Sequence, residues 1–95
     1  MPTLAYVANS NKVTVIATST NTVVNTIPVE SIGNFTKAIA ITPDGKFVYV
    51  TNLSNVVSVI DTCTNTVVDT ITVGFFPVGV AITPNGDFVY IQSLK

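Results

Sequence analysis

The sequence predicts an all-β protein assembled from a repeated antiparallel unit, and three observations carry that reading. The first is composition. Hydrophobic residues make up 47% of the 95 residues and charged residues only 9%, against a usual charged share of roughly 25%. Much of the remainder is Thr, at 15 residues, and Asn, at 9. Val, Ile and Thr are branched at Cβ and stiff at χ1, which suits a pleated strand better than a helix. The second observation is a hairpin. Ala40-Ile41-Thr42-Pro43-Asp44-Gly45-Lys46-Phe47-Val48-Tyr49-Val50-Thr51-Asn52 returns as Ala81-Ile82-Thr83-Pro84-Asn85-Gly86-Asp87-Phe88-Val89-Tyr90-Ile91. Proline presets φ near −65° at the second turn position and glycine supplies the positive φ that ends the turn. The third is spacing. Tyr6, Tyr49 and Tyr90 mark the same strand end at intervals of 43 and 41, and Thr22-Val23-Val24-Asn25-Thr26-Ile27 matches Thr66-Val67-Val68-Asp69-Thr70-Ile71 at 44.

The drift in spacing falls in the connections. The loop after Asn9 is one residue shorter than that after Asn52, and the stretch from Val29 to Ala40 is three longer than that from Val73 to Ala81. Surface loops tolerate such changes and paired strands do not. Each period then holds four strand positions, A to D. Position A is Ala38–Thr42 and Val78–Thr83; position B is Leu4–Ala8, Phe47–Thr51 and Phe88–Gln92. Position C is Val13–Ala17 and Val56–Asp61; position D is Val23–Val29 and Val67–Val73. The C–D turns, Thr18–Thr22 and Thr62–Thr66, place Asn21 and Asn65 where a left-handed residue is expected. Positions A and B are continuous apolar runs and so are expected to be buried on both faces. Position C alternates with Thr14 or Ser58, and position D brings in Thr, Asn25 and Asp69. Burial is therefore expected to fall from A outward to D.

Four antiparallel strands per roughly 42 residues, with a polar outer strand, is the pattern of a β-propeller blade. Reading in order gives a partial blade over 4–29, a full blade over 38–73 and a partial blade over 78–92. The whole is about two blades, which cannot close on itself, because a propeller needs at least about four to surround a channel. Two blades leave apolar faces and unpaired edges in water. Other blades are the partners expected. They come from the same chain if it is a piece of a longer array, or from further copies associating head to tail, a contact that makes a ring only at the right rotation. In a head-to-tail ring the C-terminal A strand would complete the N-terminal B-C-D of the next copy. Strand B would then be supplied twice, which favours a piece of a longer array.

At this point the residues carry a resemblance. Tyr49-Val50-Thr51-Asn52 resembles the motif for which the YVTN-repeat β-propellers are named. The segments Val57-Ser58-Val59-Ile60-Asp61-Thr62, Thr64-Asn65-Thr66-Val67-Val68 and Ala81-Ile82-Thr83-Pro84-Asn85-Gly86 resemble that family's blade consensus, over nearly the whole chain. The first repeat departs from it, with Ala17 where the pattern has Asp61 and Glu30–Lys37 where it has a short Gly-Phe-Pro connection. The resemblance implies a seven-bladed parent and relatives among surface-layer-type, periplasmic, lactonase-like and quinoprotein-like propellers.

Composition also limits function. Four Lys, no Arg and five acids leave a net charge of −1, against the basic surface and Arg forks that nucleic acid calls for. There is no His, so a His-based metal site or general base is excluded within this chain. Cys63 is alone and cannot form an internal disulfide. Thr and Ser are abundant, but no base is paired with them to make a nucleophile, and no Gly-rich phosphate loop occurs. Asn34-Phe35-Thr36 and Asn52-Leu53-Ser54 fit the glycosylation sequon, a short match that chance produces often. No cofactor and no catalytic or metal-ligating residue is expected. The N-terminus runs straight into repeat sequence without a basic or apolar leader region, so no signal peptide is expected. Val13 to Val29 is uncharged but broken by Thr and Asn, and is not read as a membrane span. The compartment stays open, although low charge with many Thr and Asn resembles cell-surface propellers.

In propellers the D–A and B–C connections share the face around the channel mouth. Candidate ligand or partner residues are therefore Asn9 and Asn11, Asn52 and Asn55, Glu30, Asn34 and Lys37, and Phe75 and Phe76. The plainer reading of Glu30 and Lys37 is a solvated loop with a surface ion pair worth under about 1 kcal/mol. The plainer reading of the two phenylalanines is filling of the wedge between blades. Asp44 and Asn85 lie at the opposite face, where turn chemistry accounts for them, and Asp61 is placed to accept N–H bonds from its own turn. The function expected is a non-enzymatic binding or scaffold module. The alternative is two blades of a lactonase-like or quinoprotein-like enzyme whose catalytic residues lie outside this chain.

Overall fold

The computed structural model describes residues 4–9, 11–29, 36–52 and 55–93. Strands β1 (Leu4–Asn9), β2 (Lys12–Ala17) and β3 (Thr22–Pro28) form the first sheet. Strands β4 (Thr36–Ile41), β5 (Phe47–Asn52), β6 (Val56–Asp61) and β7 (Thr66–Thr72) form the second, and β8 (Pro77–Ile82) pairs with β9 (Val89–Ser93) in the third. All pairings are antiparallel between neighbours in sequence. This is an all-β chain of one complete four-stranded propeller blade flanked by two partial ones, and its sheets stay open.

The repeat extends to atomic detail. The second and third strands of the first two sheets slip register at the same place, between Val15 and Ile16 and between Val59 and Ile60. Asn25 and Asp69 each accept the following backbone N–H at 2.8 Å. Asn21 and Asn65 both take φ of 55° in the C–D turns, as expected for Asn at a left-handed position. The hairpin glycines Gly45 and Gly86 have φ of 74° and 78°. In those hairpins Thr42 donates to Asp44 at 2.6 Å and Thr83 donates to Asn85 at 2.7 Å, while the N–H groups of Lys46 and Asp87 donate to the same side-chain oxygens. Turn chemistry thus accounts for Asp44 and Asn85, as expected.

The core lies between the first two sheets. Val13, Val15, Ile27 and Val29 from the first pack on Val48, Val50 and Ile60 from the second, with Leu4, Tyr6, Ala8 and Ile39 at the margin. The opposite face of the second sheet carries the buried Val57 and Val59, and β8 packs against β4 and β5. Valine and isoleucine at alternating positions bring about 1.5–3 kcal/mol each when fully buried.

Burial does not fall from position A outward. The most covered strands are β5 and β6, at positions B and C, while β4 and β8, at position A, are only half-covered. The inner strand gains its cover from neighbouring blades, and three sheets enclose the middle of the second sheet without enclosing its inner edge. Position D is exposed, as expected: every residue of β7 and six of seven in β3 face solvent. Phe88, placed by its pattern in a strand, instead precedes β9 and is largely exposed.

Candidate functional site

The register decides which connections share an end of the sheets. Val29 N–H donates to Asn11 O at 2.8 Å, and Val73 N–H donates to Asn55 O at 2.7 Å. Each outer strand therefore ends beside the B–C connection of its own sheet. Thr36 at the start of β4 pairs with Asn52 at the end of β5, and Ser93 Oγ donates to Gly74 O at 3.4 Å. Asn9, Asn11, Lys37, Asn52, Asn55, Phe75 and Phe76 consequently lie at one end. The Pro-Asp-Gly and C–D turns lie at the other, where Thr62 donates to the carbonyls of Gly45 and Lys46. Glu30 and Asn34 lie outside the described residues, and with them the expected Glu30–Lys37 pair.

The candidates differ in what they expose. Asn9 is exposed and its Oδ1 accepts from Thr14 Oγ1 at 3.0 Å; Asn11 and Lys37 are also exposed, and Asn55 is half-buried. Asn52 departs from its expected place in a loop. It ends β5, is 1% exposed, and its Nδ2 donates to Ser58 Oγ at 3.3 Å while Oδ1 has no partner. Position 52 lies on the face of the second sheet that meets the first, so the amide is covered rather than offered to a ligand. The adjacent Thr51 was also unmarked by its pattern. Its hydroxyl sits in the β4 irregularity, accepting from Ala38 N at 2.9 Å and reaching Ala38 O at 3.4 Å.

Phe75 and Phe76 do not fill a wedge. They are 59% and 44% exposed, and Phe76 holds φ of 56°, a conformation that costs a bulky residue on the order of 1–2 kcal/mol. A strained turn here carries two apolar rings into solvent beside the end of β9. Among the described residues the cations Lys12 and Lys37 lie at this same end, and Asp44, Asp61 and Asp87 lie at the turn end. Hydrogen bonding from Thr42, then from the Lys46 N–H, holds the Asp44 carboxyl below its usual value. Asp61 accepts from the N–H groups of Cys63 and Thr64 at 2.7 and 3.3 Å, which makes it a turn cap. Among the described residues no three His, Cys, Asp or Glu side chains are grouped to hold a metal. Among the same described residues no helix is long and apolar enough to cross a membrane.

One cross-sheet bond escaped the sequence pattern. Tyr6 Oη donates to Asn65 Oδ1 at 3.0 Å, linking strand B of one blade to the C–D turn of the next. Beside it, between the outer strands β3 and β7, runs a groove of about 360 Å³ lined by Ile27, Pro28, Asn65, Val67 and Thr70.

Sheets of this connectivity, stacked face to face with their loops sorted to two ends, define β-propeller blades. Solved structures agree. The chain is similar to hydrazine synthase of Kuenenia stuttgartiensis at 34% identity and a TM-score of 0.82, over 87% of this chain and 23% of that one. It is similar to the dihydro-heme d1 dehydrogenase NirN at 20% identity and a TM-score of 0.81, over 95% of this chain and 19% of that one. A third match is the β-propeller domain of Cps50 (Swd1) from Myceliophteria thermophila, at 13% identity and a TM-score of 0.75, over 86% and 28%. The chain thus spans from about a fifth to just over a quarter of these three chains. No protein-family model and no curated protein sequence matches it.

Proposed function

We propose that this chain is a YVTN-type β-propeller segment, with blades over 4–29, 38–73 and 78–92, that acts as a non-enzymatic binding or scaffold module completed by other blades. The observation that carries the reading is the strained, exposed Phe75-Phe76 connection, set at the same sheet end as Asn9, Asn11, Lys37 and Asn55. Backbone strain that presents apolar rings to water destabilises the free chain and is offset when a partner covers the rings. Two lysines and several amides at that end suit an apolar peptide carrying an acidic or carboxyl group. Selection of a random peptide library on the immobilised chain tests this. Enriched peptides should be aromatic or aliphatic with an acidic flank, and should bind about tenfold more weakly to Phe75→Ser and Phe76→Ser variants, a loss typical of an interface anchor. Enrichment of nothing, or of peptides indifferent to both substitutions, refutes it.

The likeness to hydrazine synthase favours a second reading, in which these are blades of a lactonase-like or quinoprotein-like propeller enzyme with its chemistry outside this chain. An extended protein carrying such an activity, unaffected by Phe75→Ser, would favour that reading over the first.

A further inference from the structure

The two outward faces of the stack are the unpaired halves of the interface already formed twice inside it. Strand pairing puts Leu4, Tyr6, Ala8, Val13 and Val15 on one face of the first sheet, the face that meets the second. The second sheet answers with Ile39, Val48, Val50 and Ile60. By the repeat, the residues equivalent to Val48, Val50 and Ile60 in the first sheet are Ala5, Val7 and Ile16, joined by Val23, and they point away from the stack. Val7 is 44% exposed where its equivalent Val50 is 0% exposed. At the other end, Ala81, Tyr90 and Gln92 share the outer face of the third sheet, and Tyr90 is 65% exposed where its equivalent Tyr6 is half-covered and bonded to Asn65. Around Tyr90 lies an open depression of about 350 Å³, where Gln92 rests 3.2 Å from the position a side chain on Gly79 would take. Each chain thus carries one copy of both halves of a single interface, at opposite ends.

We propose that the Tyr90 face of the third sheet docks head to tail on the Ala5–Val7–Ile16–Val23 face of a second copy, and that two copies close a ring of six stacked sheets. The hydroxyl of Tyr90 donates to Asn21 Oδ1 of the second copy, as Tyr6 does to Asn65. Asn21 is presented for it, since its turn has the same left-handed φ of 55° as that of Asn65. The number of copies follows from geometry. Propellers close with four to eight blades, and the chain supplies three sheets among its described residues, so one copy is too few, three are too many, and two fit. Every existing strand pair is kept, including β1 with β2, so the duplicated B strand is not displaced and forms its own sheet on each side of the contact. The inference rests on reading the sheets as successive blades.

Sedimentation of the 95-residue chain over about 1–100 μM tests it. The expected species has twice the chain mass. Val7→Glu and Tyr90→Glu should each weaken association by on the order of a hundredfold, because each leaves a carboxylate in an apolar contact. An equimolar mixture of the two should form a one-to-one heterodimer through a single intact contact, since each retains the half that the other has lost, where either variant alone has no intact contact; this also shows that both variants are folded. Tyr90→Phe should weaken association about twenty-fivefold, about fivefold for the hydrogen bond lost at each of the two contacts of the ring. A monomer throughout overturns the proposal and leaves the face to a blade of the same polypeptide. Val7→Glu chains that still pair with themselves overturn it in favour of a face-to-face contact. Failure of the blade reading itself looks different, because Tyr6→Phe and Ile27→Ala would then leave the stability of the chain unchanged.

Discussion

Ile27 and Ile71 occupy the same position in two repeats yet sit in different surroundings, which makes a matched pair of substitutions informative. Ile27 on β3 is 3% exposed within the core between the first two sheets, whereas Ile71 on β7 is 40% exposed, because the third sheet has no outer strands to cover it. Burying an isoleucine side chain is worth about 1.5–3 kcal/mol, and truncation at a closed site adds a cavity term. Ile27→Ala should therefore cost about 3 kcal/mol. Ile71 has lost only part of its surface to solvent exclusion and leaves no enclosed cavity, so Ile71→Ala should cost about 1 kcal/mol. Guanidinium unfolding followed by far-UV circular dichroism, at one fixed protein concentration, reads the difference as a shift in midpoint at constant slope. Costs equal within about 0.5 kcal/mol would refute the argument, since they would place stability in the strands themselves and not in the packing of one sheet on the next.

Other expectations follow from single contacts. Ala17 occupies the position of Asp61 before a C–D turn with the same left-handed Asn and the same Thr–Thr hydroxyl pair, so Ala17→Asp should cap that turn and raise stability by about 0.5–1 kcal/mol; a loss in thermal denaturation would contradict it. Gly45→Ala and Gly86→Ala should each cost about 1 kcal/mol from their positive φ alone, because a Cβ meets nothing within 4 Å at Gly45 and only an ordinary 3.4 Å contact with Pro43 at Gly86. Gly45→Asn should be milder, since Asn tolerates that region. Burial raises the Tyr6 hydroxyl above its ordinary value of 10.0. The folded chain then keeps a proton that the unfolded chain has lost, so this contribution is complete below about pH 10 and disappears as pH climbs through the higher folded value. Tyr6→Phe should flatten that alkaline dependence in unfolding measured across pH 9–12, read as roughly the span of tyrosine ionisation.

The local plan was legible because each device repeats. Pro-Asp-Gly and Pro-Asn-Gly set the hairpins, Asn21 and Asn65 set the C–D turns, and the strand ends fall within one or two residues of their expected places. The candidate site was legible as loops and less so as chemistry. The pattern put Asn52 among ligand loops because an amide after an apolar strand usually marks its exit. The chain continues pairing one step further and buries that amide on the face of the second sheet that carries Val48 and Val50. Phe76 carries no mark of its strain, since a left-handed φ at a bulky residue has no sequence signal. The Tyr6–Asn65 bond spans 59 residues and arises only when sheets stack.

Alternation and turn chemistry act over a few residues, so the sequence alone determined strands, turns, their period and the blade they build. Burial depends on what stands opposite, and only the tertiary structure decided it. Equivalent residues such as Val7 and Val50, or Ile27 and Ile71, have nearly the same local sequence and different exposure because a sheet lies against one and not the other. The hairpin at position A shows this most plainly. Its apolar run is encoded for a fully enclosed inner strand, and with three sheets in place the strand is half-covered, its remaining face open to another blade.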